Sequence, residues 1–177
     1  MDPRLRLVTD SGGRDRSPVD ALPFDAFFEG EAPALFSRMC LVTCNRSEAE
    51  EIVQDSFLAL FERWDKIQTI DDPVGYLYVT AFNRWKRSSR RAARQLLVLT
   101  GIADRRNEFS GVDDRDLVDR GLAALTPRQR AAIVLTELLG YSSPEAAHVL
   151  GVRDVTVRTL ASQGRATLRR VLEDGDD

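Results

Sequence analysis

The sequence predicts an all-α protein of two small helical domains joined by a linker, the C-terminal one a helix-turn-helix. Three observations carry this expectation. Apolar residues recur at helical spacing in successive segments; several of these segments are preceded by helix-start signatures; and no strand pattern, internal repeat or nucleotide-binding glycine loop occurs anywhere in the 177 residues. The expected boundaries are a disordered tail over 1–22, a first domain over 23–95, a linker over 96–112, the helix-turn-helix domain over 113–172 and an acidic tail over 173–177.

Residues 1–22 mix Gly, Ser, Pro, Asp and Arg without period, a composition too polar to bury a core. Phe24, Phe27 and Phe28 then open a short apolar helix, Pro33 restarts it, and Leu35, Phe36, Met39, Cys40 and Val42 continue the stripe. Asn45 and Arg46 mark a break. Ser47 with Glu50 reads as a capping box for an amphipathic helix whose Val53, Phe57, Leu60, Phe61 and Trp64 face inward. Its opposite face carries Glu51, Gln54, Asp55 and Glu62. A loop over 66–71 leads to Asp72-Pro73, cap and first-turn proline of the next helix. That helix interleaves Tyr76, Tyr78, Phe82 and Trp85 with a basic run holding Arg84, Lys86, Arg87, Arg90, Arg91 and Arg94. Stacking rings and phosphate-binding cations together suit a nucleic-acid strand, although at least two of the four aromatics are expected in the core.

Periodicity lapses over 96–112, with Gln95 to Leu99 a candidate extension of the preceding helix. Asp113 or Asp114 caps a helix with Leu117, Val118, Leu122 and Leu125 inside. Thr126, Pro127 and Gln129 start the next, which carries Ile133, Val134, Leu138 and Leu139 and stops at Gly140. Ser142 with Glu145 starts a short helix bearing Ala146, Ala147, Val149 and Leu150 and ending at Gly151, and Asp154 caps a long final helix. A short helix, a glycine turn and a helix with basic and hydroxyl residues on its first turns form the layout that enters the DNA major groove. Arg153, Thr156, Arg158 and Thr159 lie where base edges can be reached, with Arg165, Arg169 and Arg170 further along.

Composition excludes several classes. No apolar stretch is long enough to span a bilayer, and the N-terminus lacks the apolar centre of a secretion signal, so a cytoplasmic protein without membrane insertion is expected. Cys40 and Cys44 share a helix face with no second Cys or His pair, which reads as core thiols and no metal site. His148, the only histidine, has no catalytic constellation around it and reads as packing or surface. With no nucleophile–base pair, metal cluster or phosphate loop, neither an enzyme nor a cofactor is expected. The net charge of −3 conceals a segregation of acidic and basic segments, as expected of a chain with two different partners.

The segment SEAEEIVQDSFLALFERW over 47–64 resembles the core-polymerase-binding helix of bacterial sigma factors, whose pattern is roughly A-E-D-x-V-Q-E-T-F. The segment beginning LTPRQRAAIVLTELLGYSSPEAAHVLGVRDVTVRTL resembles their promoter-binding helix-turn-helix. Together, in this order and separation, they are similar to the small extracytoplasmic-function group of the sigma-70 family, over nearly everything outside the tails. The resemblance implies a protein that binds core RNA polymerase and directs promoter-specific initiation. Glu51, Gln54, Asp55 and Leu58 match positions that dock on the clamp of the beta-prime subunit, with the beta subunit as a further contact. Asn83, Arg84, Arg87, Arg90 and Arg91 become candidates for capturing the melted minus-ten strand. Arg153, Thr156, Arg158 and Thr159 become readers of the minus-thirty-five element, with Arg165 on phosphate. Control by an anti-sigma factor is frequent in the family.

Some positions depart from the family pattern. Tyr76-Leu77 replaces the usual Trp-Leu, Arg87 stands where Asp commonly follows the Asn, and Leu160 and Gln163 replace two arginines of the recognition helix. Gly164 costs about 1 kcal/mol of helix propensity relative to alanine. A stand-alone helix-turn-helix regulator, binding duplex DNA without joining polymerase, is the competing expectation.

Overall fold

The computed structural model describes residues 23–99 and 114–173. The expected N-terminal tail, residues 100–112 of the expected linker and residues 174–177 lie outside the described residues, and the described ones are helical with short connections. The helices are α1 (Phe24–Thr43), α2 (Arg46–Phe61), α3 (Trp64–Ile67), α4 (Pro73–Leu99), α5 (Asp114–Ala124), α6 (Pro127–Ile133), α7 (Ser143–Leu150) and α8 (Asp154–Glu173), with a π-helical turn (Val134–Leu138) extending α6.

Pro33 does not restart α1. The helix runs through it unbroken, because Pro33 is exposed and the Glu29 carbonyl it leaves without a donor is on an exposed residue. α1 ends at Cys44, which takes the left-handed conformation (φ 50°) and donates its backbone N–H to the Cys40 carbonyl at 2.8 Å. The α2 cap is Asn45, whose side chain accepts the Glu48 N–H at 2.8 Å, two residues before the expected Ser47–Glu50 box. Where a loop was expected after Lys66, the short α3 reaches Ile67. Asp72 caps α4 by accepting the Gly75 N–H at 2.7 Å, and α4 continues through Leu99.

Leu77, Tyr78, Ala81, Phe82 and Trp85 form the buried stripe of α4. Three of the four aromatics expected to interleave with cations are therefore core residues, and Tyr76 alone remains partly exposed. On α2 the inward set is Ala49, Ile52, Val53, Ser56, Phe57 and Leu60. Phe61 departs from the expectation: it is 60% exposed, because one residue beyond Leu60 is rotated about 100° onto the outward edge. Only part of its ring is covered, by the edge contact with Phe24 at 5.0 Å.

In the C-terminal half both expected capping boxes are reciprocal, Thr126 with Gln129 and Ser142 with Glu145. Gly140 and Gly151 occupy the left-handed conformation that stops each helix (φ 68° and 65°). The Leu139 N–H reaches back five residues to the Val134 carbonyl at 3.0 Å. This wider turn rotates Leu138 outward, where it is 52% exposed, and leaves Val134 and Leu135 as the buried pair. Val118 is also exposed: α8 meets α5 at Gly121, against Leu168, and Val118 lies a turn short of that contact. Asp154 is the first residue of α8 and not its cap.

Hydrogen bonds to Ser142 hold the Glu145 carboxyl below its ordinary range. A lowered pKa stabilises the folded chain above the ordinary carboxylate value, and the contribution is lost as pH falls through the depressed folded value. Ser142→Ala is expected to return Glu145 toward that ordinary value in an NMR titration and to cost about 1 kcal/mol of stability near neutral pH; an unmoved titration would show that Ser142 is not the cause.

The two halves share one core. Buried residues of α1, α2 and α4 and those of α6, the π turn, α7 and α8 form a single continuous apolar cluster. Polar ties cross between the halves. The buried Arg130 of α6 donates through Nε to the Val42 carbonyl at the end of α1 (3.0 Å), and through Nη1 to the Leu122 and Leu125 carbonyls (2.8 and 3.1 Å). Lys86 Nζ of α4 donates to the Val149 carbonyl of α7 at 2.6 Å. Tyr141, between the π turn and α7, has its phenol pushed up to about 12 by burial, with the charge of Asp72 and the neighbouring Tyr78 and Glu145 acting the same way.

Candidate functional site

Three surfaces carry the residues expected to act. The first is the outward stripe of α2. Glu51, Gln54, Asp55 and Leu58 are all exposed, at spacings of three and four that put them on one helix face. Leu58 is 59% exposed, and Phe61, next along the stripe, is equally so. An acidic and amide upper half thus grades into an apolar lower half, edged by the partly exposed Phe28 of α1, whose ring stacks edge-on against Phe57 at 4.8 Å.

The second surface is α4. Its candidate residues do not share one face. Arg87, Arg90 and Arg91 are exposed, while Asn83 and Arg84 are partly covered. Asn83 and Arg87 line, with Val79 and with His148 of α7, a cleft of about 190 Å³ between the halves. His148 is exposed at its edge, as one of the two expected alternatives had it. Arg84 turns the other way, toward α2, and pairs with Asp55 (Nη1 to Oδ2, 2.9 Å).

The third surface is the start of α8. Arg153, Arg158 and Thr159 are exposed and Thr156 is partly covered, with Val157 buried beneath them. Two of the cations already have partners: Arg158 pairs with Asp154 one turn earlier at 3.1 Å, and Arg165 with Glu137 of the π turn at 2.6 Å. The Thr159 hydroxyl donates to the Val155 carbonyl at 2.9 Å. Both arginine pairs are about half exposed, so either cation can exchange its carboxylate for another anion at little cost. Among the described residues no group of three or more acidic, His or Cys side chains could hold a metal ion, and no helix is long and apolar enough to cross a membrane.

Residues 27–95, which include most of α1 and the whole of α2 and α3, match the family model described as sigma-70 region 2, and residues 115–168, spanning α5 to α8, match sigma-70 region 4. The chain belongs to the sigma-70 family. The extracytoplasmic-function sigma factor SigM of Mycobacterium tuberculosis is 28% identical over 159 residues, covering 86% of this chain and 79% of SigM. SigJ of the same species is 30% identical over 165 residues, covering 84% of this chain and 52% of SigJ. Among solved structures, the sigma factor RpoE of Bartonella quintana, in complex with the anti-sigma factor NepR, superposes with a TM-score of 0.67 at 22% identity, over 85% of this chain and 96% of RpoE. CnrH, in complex with the cytosolic domain of CnrY, superposes with a TM-score of 0.55 at 28% identity, over 87% and 89%. This sigma factor falls in the extracytoplasmic-function group.

Sequence reasoning passed over Phe61 and Phe28 as members of the sigma factor's exposed α2 edge, because period alone assigned both to the core. Lys86, one cation among many in its run, gave no signal of its tie to α7. A residue-by-residue helical wheel places Phe61 at the boundary of the stripe, about 20° from the exposed Gln54 and about 40° from the buried Phe57.

Proposed function

We propose that this sigma factor binds core RNA polymerase through the outward stripe of α2 and directs initiation at promoters contacted by both halves of the chain, in the cytoplasm. The observation that carries the reading is the stripe itself: Glu51, Gln54, Asp55 and Leu58 stand exposed on one face, and Leu58 continues into the exposed Phe61 and Phe28, a contiguous apolar group of the kind that marks a partner surface. The exposed arginines of α4, Arg87, Arg90 and Arg91, follow the minus-ten strand, and the start of α8 enters the major groove at the minus-thirty-five element. Strand opening asks for binding energy and no catalytic residue, since unstacked bases are held once exposed. Because Tyr78, Phe82 and Trp85 are core residues, that holding falls to the α3–α4 loop, Tyr76 and the cations. The Bartonella relative's complex with an anti-sigma factor supports control by a partner of that kind.

Run-off transcription with purified core polymerase, on the chain's own upstream DNA and a genomic promoter library, tests the reading. Initiation that depends on the added protein is expected; absence of both initiation and core binding would return the chain to the stand-alone regulator. Within α8, Arg158→Ala is expected to relax selectivity at one promoter position by about tenfold or more. An equal loss on every sequence would make Arg158 a phosphate contact. Arg165→Ala is expected to weaken all sequences alike.

A further inference from the structure

The Arg84–Asp55 pair joins a residue of the candidate strand-binding set to a residue of the candidate polymerase-binding face. We infer that Arg84 is a positioning residue for the polymerase face, fixing the Asp55 carboxylate, and not a contact to DNA; this rests on the reading of the α2 stripe given above.

Four observations carry the assignment. Arg84 Nη1 donates to Asp55 Oδ2 at 2.9 Å, and the Arg84 side chain is only 30% exposed against 56% for Asp55. Arg84 Nε is buried with no hydrogen-bond partner, so the guanidinium is held with its inner edge in the seam between α2 and α4. A second tie, from the Ser88 hydroxyl to Glu48 Oε1 at 2.8 Å, brackets the same seam and fixes how α4 lies along α2. Arg87, one turn further along, lines the cleft toward α7, so neighbouring arginines of the basic run turn toward different elements.

The consequence for Asp55 is chemical. A short side chain on an open helix face samples several rotamers, and a partner must immobilise it on binding. Arg84 occupies Oδ2 and leaves Oδ1 with its lone pairs available, because a carboxylate accepts more than one charged donor. The polymerase therefore meets an acceptor already aimed outward. Glu51 and Gln54, on the same face, have no such brace among the described residues.

A double-mutant cycle with the full-length chain and purified core polymerase tests this by fluorescence anisotropy. Asp55→Ala and Arg84→Ala are each expected to weaken core affinity about fivefold, and the double variant about as much as Asp55→Ala alone, since neighbours that act through one contact are not additive. Arg84→Lys, which keeps a cation within reach of Oδ2, is expected to retain most of the affinity. Thermal denaturation of each variant runs alongside. Core affinity unchanged in Arg84→Ala while Asp55→Ala weakens it overturns the assignment, whether the loss appears instead in melting temperature or in strand opening. Additive losses overturn it too, since Arg84 would then contact the polymerase by itself. Should Asp55→Ala bind core like the wild type, the polymerase-face reading fails first, and the inference with it.

Discussion

Arg130→Ala is expected to lower stability by about 3 kcal/mol, a fall of about 10 °C in melting temperature for a chain of this size. Arg130 is 7% exposed and donates to three carbonyls, those of Val42, Leu122 and Leu125. Each of these lies at or near a helix end, where carbonyls lack their regular helical donors, and Leu122 also accepts the Leu125 N–H, at 3.2 Å. Truncation removes the donors from all three together and leaves the volume of the arginine stem unfilled, so a polar loss and a packing loss coincide. Arg130→Met separates them: it restores much of the stem and none of the donors, and is expected to recover about a third of the loss. Urea denaturation, read as a shift in midpoint at constant slope, measures both. A loss below about 1 kcal/mol for the alanine variant would mean that water replaces the guanidinium at the carbonyls.

Gly164→Leu is expected to cost about 3 kcal/mol, although leucine is the better helix former by most of 1 kcal/mol. A Cβ placed on Gly164 would stand 2.6 Å from Cδ1 and 3.3 Å from Cγ1 of Ile133, with Gln129 Cβ at 3.5 Å. Gly164 is thus the point at which α8 meets α6. A single methyl can be met by turning the end of Ile133, whereas a leucine must push the helices apart. Gly164→Ala is accordingly expected to lie within about 1 kcal/mol of the wild type, the helical gain offsetting the displaced methyl. If leucine proved neutral as well, the approach of α8 to α6 would have to be looser than described.

These two positions show where sequence reasoning reached its end. Helix starts were legible at Thr126 and Ser142 because a capping box is a local event among four residues, and the glycine stops at 140 and 151 because a positive φ selects for one residue type. The exposed α2 residues were legible for the same reason, a periodic face being a property of the segment alone. Arg130 was invisible among the C-terminal cations: whether an arginine is solvated or buried depends on carbonyls supplied from 88 residues away. Gly164 was read as a weakness of its helix, since propensity is local and the opposing Ile133 is not. The displacement of Leu138 had no signature either, because the π turn that rotates it adds a residue to a turn without altering the pattern. Pairings across the seam, Arg84 with Asp55 and Lys86 with α7, needed the fold.

The continuous core gives this sigma factor a property that two independent domains would lack. Any partner that engages the halves apart from one another must re-expose the apolar surface that now joins them, and its apparent affinity is reduced by the fraction of chains found separated. Each 1.4 kcal/mol of adhesion across the joint then corresponds to about a tenfold weaker hold by such a partner. Robustness and responsiveness are set by the same contacts. A substitution that loosens the joint makes the free chain easier to unfold and easier to recruit, so variants isolated for higher activity at limiting concentration would be found among the less stable ones.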